Sequence, residues 1–195
     1  MIGSGNALPL QRLIYNEIGC LLRSEEALLE ILLVMQRRAE DKLLKNILNS
    51  HFKDKMTHIQ LLQSLPDMIV YQKQEVKIPG GMTSLIRKAD LLMQRIKRSG
   101  AARDVIIIMQ LQKMIHYKIA GYRCMFNLLH HNPAIASVMK TILDHEVEID
   151  LALTAVASES VNHKAVEPEQ AELHTHRSWR FNDESNQYGI YSSFF

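Results

Sequence analysis

The sequence is poor in the residues that break helices and has no long apolar run. Its 195 residues include only eight Gly and five Pro, too few for a turn-rich β architecture of this length. The longest strongly apolar stretches, Ile31 to Met35 and Val105 to Met109, are five residues each, far below the ~20 that a membrane-spanning helix needs. The composition therefore predicts an all-α protein without a membrane partner.

Familiar catalytic and metal-binding motifs are also missing. The two cysteines, Cys20 and Cys124, form no CxxC pair and no zinc-binding spacing, so we expect reduced, buried thiols. No Gly-rich dinucleotide loop, P-loop, serine nucleophile elbow or HExxH motif occurs. The first residues lack the layout of a secretory signal, so a cytoplasmic protein is expected. Any chemistry must then come from the helices themselves.

Apolar residues recur at helical spacing in four long segments, at about 9–38, 41–65, 101–131 and 134–157. Pro66, Gly100 and Pro133 separate them as helix breakers. A shorter helix is predicted at about 83–98, inside an irregular connection that contains Pro79, Gly80 and Gly81. This order predicts a four-helix bundle in which a long crossover lets the second and third long helices run parallel.

The chain divides into a bundle over residues 1–157 and a polar tail over residues 158–195. The tail carries three Lys or Arg against six Asp or Glu, while the net charge of the whole chain is +2. Its end, YGIYSSFF, is too apolar for a solvated tail, and we expect it to dock on the bundle or on a protein partner. A pair of histidines in the tail, within HTHRSW, is expected to be ordinary surface.

Each long helix places at least one ionisable side chain inside its apolar arc, near the middle of the helix. The first contributes Glu25, the third Lys118 and the fourth Glu146, which His145 flanks. The second contributes His51, Lys55 and His58, with Asp54 at the edge of the arc. Any one of these could be an edge residue or a satisfied hydrogen bond. Together they have the pattern by which helical bundles hold a pair of iron or manganese ions.

Several stretches resemble the YciE/YciF family of small bacterial stress-associated ferritin-like proteins, over about residues 13–157. The most specific are RDVIII, residues 103–108, and QKMIHYKIAGY, residues 112–122. Further matches are SEEAL at 24–28, HFKDKMTH at 51–58, MTSLI at 82–86 and ILDHEVEID at 142–150. The resemblance implies a ferritin-like antiparallel four-helix bundle, usually dimeric, with a di-metal centre.

Departures from the family pattern fall at the implied metal site. Ile115 and Lys118 stand where two glutamates are expected, and Ile149 replaces another possible ligand. The family's ligand positions that keep a metal-binding side chain are Glu25, Asp54, His58 and Glu146. A protonated lysine cannot ligate a metal. We therefore hypothesise a degenerate site in which the Lys118 ammonium bridges Glu25 and Glu146 and His51 joins the network.

These features favour a non-catalytic, stress-associated binding or structural protein with no cofactor, assembled as a homodimer. The alternative is an iron- or manganese-binding oxidoreductase that acts through the four remaining ligands. A nucleic-acid binder is a third class, since one helix carries a basic stretch that could also be a plain solvated face. That stretch comprises Arg87, Lys88, Arg95, Lys97 and Arg98.

Overall fold

A computed structural model describes residues 7–65, 76–96 and 100–166, with side chains from Pro9 onward. Within these ranges the regular elements are helices, and no β-strand occurs. The α-helices are α1 (Ala7–Arg38), α2 (Lys42–Ser64), α3 (Gly80–Arg95), α4 (Ala101–Leu128) and α5 (Pro133–Val156). The predicted all-α bundle of four long helices with a short extra helix is confirmed.

Local signals explain where the helices begin. The Asp41 carboxylate accepts the backbone N–H groups of Leu43 and Leu44 at 2.9 and 3.1 Å and caps α2. Asn132 caps α5 in the same way, ahead of a proline in the first turn. Before α4 stands Gly100 with a φ of 115°, a backbone conformation that side-chain-bearing residues rarely adopt. Two of the breakers predicted from the sequence, Gly100 and Pro133, thus lie at helix starts, while Pro66 lies outside the described residues.

The four long helices pack around the apolar interior. α1 and α5 each pack against both α2 and α4, while α3 lies along α4. The short connections α1–α2 and α4–α5 make these pairs antiparallel. The buried Asp104 carboxylate, in the first turn of α4, accepts the N–H groups of Glu40 and Asp41 at 2.9 and 2.8 Å. Because both contacts lie at the starts of their helices, α2 and α4 run parallel.

Two helical boundaries differ from the sequence prediction. α3 begins at Gly80, directly after Pro79, whose carbonyl accepts the Thr83 N–H; the Pro-Gly-Gly sequence there precedes a helix instead of interrupting one. α5 continues through a π-helical segment, Ala157–Val161, and stays helical to residue 166. Ser160 and Lys164 of this extension donate hydrogen bonds to Asp41. The remainder of the predicted tail, with its aromatic end, lies outside the described residues.

The apolar interior forms two clusters on the four long helices, and the first of them also includes Met82, Ala89 and Met93 of α3. The base core lies toward the starts of α2 and α4, and the top core lies toward their ends. Fully or nearly fully buried members of the base core include Leu28, Leu32, Leu44, Leu48, Leu111, Met114 and Leu153. Those of the top core include Ile18, Leu21, Leu62, Leu65, Met125, Met139 and Ile142. None of the helices in the described ranges has the length and apolar character needed to cross a membrane.

Candidate functional site: a buried charge layer

Four charged side chains lie between the two apolar cores, one from each long helix. Glu25 comes from α1, Lys55 from α2, Lys118 from α4 and Glu146 from α5, and each is at most 1% exposed. On α1 the glutamate follows Leu21 by one turn and precedes Leu28, so helical spacing carries it inward with the apolar stripe. The other three occupy equivalent positions on their helices. We call these four residues the charge layer.

The charge layer is a closed set of ion pairs. Lys118 Nζ lies 3.1 Å from Glu25 Oε2 and 2.9 Å from Glu146 Oε1. Lys55 Nζ lies 2.9 Å from Glu25 Oε2 and also pairs with Glu146 Oε1. Each ammonium therefore touches both carboxylates, and each carboxylate touches both ammonium groups. The layer carries two positive and two negative charges, so its net charge is zero.

Burial and pairing act in opposite directions on these groups. Burial raises the pKa of the Glu25 carboxyl, but the positive charges of Lys118 and Lys55 outweigh it and hold that pKa well below its usual range. Burial lowers the pKa of Lys118 well below its usual value; the Glu25 carboxylate opposes that shift only in part, and the neighbouring Lys55 ammonium adds to it. The ammonium form of Lys118 is the one that satisfies the layer, because a neutral amine would leave two buried carboxylates facing one cation.

Tyr122 and His58 each add a hydrogen bond to the charge layer. The Tyr122 hydroxyl donates to Glu25 Oε1 at 2.6 Å, and burial followed by the Glu25 charge raises its pKa, so the phenol stays protonated. Burial and the Lys55 charge lower the pKa of His58 to about 3, which keeps the ring neutral. His58 Nδ1 lies 3.1 Å from Lys55 Nζ, so it accepts, and its Nε2–H faces His145 Nδ1 at 3.0 Å.

His51 lies one helical turn before Lys55 and is 1% exposed. Neither ring nitrogen has a hydrogen-bond partner among the described residues. Burial and the charge of Lys55 lower its pKa well below the usual value, so the ring is neutral. Within the described residues, Glu146 Oε2 likewise has no partner. His51 therefore lies beside the charge layer without bonding to it.

The structure gathers Glu25, Lys118 and Glu146, as well as His58, at one level of the bundle. Asp54 is only half-buried and is not part of the group. Lys55 lies inside the apolar arc of its helix, yet the sequence reasoning did not assign it to the network. Its signal was available: a lysine and a histidine three residues apart on a helix face that also carries Leu48 and Leu62.

The side chains at the centre of the bundle determine whether it can hold metal ions. Glu25, His58 and Glu146 each offer a ligand atom, and these atoms lie within 4.8 Å of one another. The space they enclose, however, faces the ammonium groups of Lys55 and Lys118. A protonated lysine donates hydrogen bonds and has no lone pair for a metal. The residues present therefore do not fit the di-metal centre that a ferritin-like fold implies.

The cysteines and the basic stretch predicted from the sequence lie outside the charge layer. Cys20 and Cys124 are both free thiols, but the expectation that both are buried is wrong, because Cys124 faces solvent on the outer side of α4. Arg87, Lys88 and Arg95 are exposed on α3. Lys97, Arg98 and the histidine pair of the tail lie outside the described residues.

The fold and the inward charged residues define a ferritin-like four-helix bundle. Residues 10–166 match the family described as "Domain of unknown function (DUF892)". Since that match spans most of the chain, the protein belongs to this family.

The chain is similar to a named protein and to proteins of known structure. The chain is 28% identical over 149 residues to Protein YciF of Escherichia coli K12, covering 73% of this chain and 86% of that protein. It superposes on the crystal structure of the E. coli stress protein YciF with a TM-score of 0.70, at 22% identity, over 77% of this chain and 96% of the other. It also superposes on YcfI from Rhodopseudomonas palustris, named as a candidate structural protein, with a TM-score of 0.69, at 22% identity, over 80% and 99% of the chains.

Proposed function

We propose that this protein is a non-catalytic ferritin-like bundle that acts as a stress-associated structural or binding protein. The names of its relatives support the biological setting, since one is called a stress protein and another a candidate structural protein. Its centre is filled by the protein's own charges in place of metal ions. Cytoplasmic location, self-association and a partner for the C-terminal tail stay predictions from the sequence.

The observation that carries this proposal is the pairing of both lysines with both glutamates. A divalent ion at the centre would have to displace these ammonium groups or lie beside them. Two unit charges ~4 Å apart interact by about 4 kcal/mol at the effective dielectric of a protein, and a divalent ion doubles that repulsion. Moving an ammonium away would leave it buried without a partner, which also costs several kcal/mol.

Metal analysis of the full chain tests the proposal. The protein is expressed in medium supplemented with iron and manganese, purified without chelator, and analysed by inductively coupled plasma mass spectrometry. We expect far less than one ion per chain. We also expect ferrous iron to oxidise in air no faster with the protein than in buffer. About two bound ions per chain, or faster oxidation, would reject the proposal.

The working metalloprotein remains the second candidate function, because Glu25, His58 and Glu146 still converge. It requires a centre that binds metal despite the two lysines. One iron or manganese ion per chain, removed by E146Q and retained by the surface variant E148Q, would favour it. Glu148 is exposed on the same helix, so the pair of variants separates loss of a ligand from loss of any α5 carboxylate.

A further inference from the structure

Metal centres in ferritin-like bundles follow a fixed arrangement of residues on the four helices. Two helices each supply one Glu, and the other two each supply a Glu-x-x-His pair, all projecting inward. In this chain α1 supplies Glu25, and α5 supplies Glu146 followed three residues later by Ile149. α2 supplies Lys55 followed three residues later by His58, and α4 supplies Lys118.

The geometry supports this register. Lys55 and Lys118 are each buried, and each places its Nζ against both Glu25 and Glu146. Asp54, one residue away, is only half-buried. The position on α2 that corresponds to the metal-binding acid of a Glu-x-x-His pair is therefore Lys55, three residues before His58. By this count the chain keeps Glu25, His58 and Glu146 and differs at the positions of Lys55, Lys118 and Ile149.

We infer that Lys55 and Lys118 stand at the positions of two metal-binding carboxylates. The ammonium groups of the two lysines exclude metal ions from the centre, and replacing the lysines with glutamate one at a time restores binding of a first and then a second ion. This inference rests on the proposed function. The layer's net charge is zero, and each Lys→Glu replacement changes it by two units. One replacement leaves a charge of −2, which one divalent cation balances. Both replacements leave −4, which two divalent cations balance.

Ligand chemistry points to the same stoichiometry. With K118E, an ion has carboxylates from α1, α4 and α5. His58 Nδ1, which accepts from Lys55 Nζ, becomes free to bind a metal only when K55E removes that ammonium. Carboxylate oxygens and imidazole nitrogen suit manganese and ferrous iron. With K55E as well, α2 would present a Glu-x-x-His pair, which would supply a further carboxylate and an imidazole to a second ion. Ile149 leaves the second ion without its histidine, so the second ion binds more weakly than the first.

The experiment measures Mn²⁺ bound per chain in the full-length wild type, K118E and K55E/K118E after dialysis against excess Mn²⁺ and gel filtration. We expect about zero, one and two ions. The matched control is K118M, which removes the cation but adds no ligand and should bind no Mn²⁺. We also expect Mn²⁺ to raise the Tm of K118E by several degrees and to leave the Tm of wild type and K118M unchanged.

Several results would overturn the inference. K118E that folds, as judged by circular dichroism, yet binds no Mn²⁺ would do so. So would K118M that binds as much Mn²⁺ as K118E. Both variants are produced in Mn²⁺-supplemented medium, because the metal should balance the charge of the added carboxylate. If K118E is insoluble under these conditions while K118M is soluble, the inference is also contradicted. Metal in the wild type would instead reject the proposed function, so the two failures are distinguishable.

Discussion

The base core and the charge layer are neighbours on the same four helices and are buried to the same extent. In the base core any apolar side chain of similar volume can replace another at modest cost, because apolar packing is non-directional. In the charge layer each group depends on two specific partners on other helices. The difference teaches that equal burial does not mean equal tolerance: what matters is whether removing a side chain leaves an unpaired charge.

The largest effect is expected from breaking the charge layer at one member. K118M keeps the volume but leaves Glu25 and Glu146 sharing one ammonium, so we expect the free energy of unfolding to fall by about 3–5 kcal/mol. Urea denaturation at pH 7 measures it. Replacing the whole layer and its hydrogen-bond donor with E25L/K55M/K118M/E146L/Y122F should restore stability to the wild-type value or above. A fully apolar layer that unfolds more easily than K118M would contradict the comparison.

A smaller effect is expected from a cavity in the base core. L111A removes a fully buried side chain from α4 and should cost about 2–5 kcal/mol. The matched control is L111M, which preserves volume and should cost less than ~1.5 kcal/mol. If L111M were as damaging as K118M, the base core would be no more tolerant than the charge layer.

Mild acid should weaken the region around the charge layer before the carboxylates titrate. His51 and His58 have folded pKa values below the ordinary value of 6.5, so the unfolded chain binds more protons than the folded one below that pH. Stability is full above pH 6.5 and is lost as the pH falls. Between pH 7 and 5.5 we expect a loss of about 1 kcal/mol for each histidine, measured by urea denaturation.

A variant at His51 sharpens this pH prediction. Because neither nitrogen of His51 has a partner among the described residues, H51L removes a titrating group without breaking a hydrogen bond. The loss of stability between pH 7 and 5.5 should fall by about half. An unchanged pH dependence would show that His51 does not stay neutral in the fold.

The smallest effect is expected at the end of the bundle. Asp41 caps α2 and accepts hydrogen bonds from Ser160 and Lys164, and the latter two hold its pKa at about 2 despite its burial. D41A should cost about 1 kcal/mol, the usual value for a lost N-cap. D41N, which can still cap, should cost less. Urea denaturation of both variants measures the two losses of stability. Equal losses in D41A and D41N would show that the N-cap hydrogen bonds contribute little.

The helices were predictable because each is specified by its own residues. Periodic leucines and isoleucines mark the buried faces, and Gly100 and Pro133 mark the starts of α4 and α5. α3 was misplaced by three residues because Pro-Gly-Gly can precede a helix as well as interrupt one. Lys55 was not assigned to the charge layer because the family resemblance placed the acid of the second helix at Asp54, and because the partners of Lys55, Glu25 and Glu146, lie on other helices.

The sequence by itself determined that this chain forms long amphipathic helices and that each sends a charged group inward, since helical spacing is a local property of the chain. Only the tertiary structure decided which charges meet. Whether two lysines and two glutamates neutralise one another depends on distances of about 3 Å between side chains that lie 28 to 93 residues apart in the chain. Electrostatic pairing in a buried layer is a property of packed helices, and no single helix specifies it.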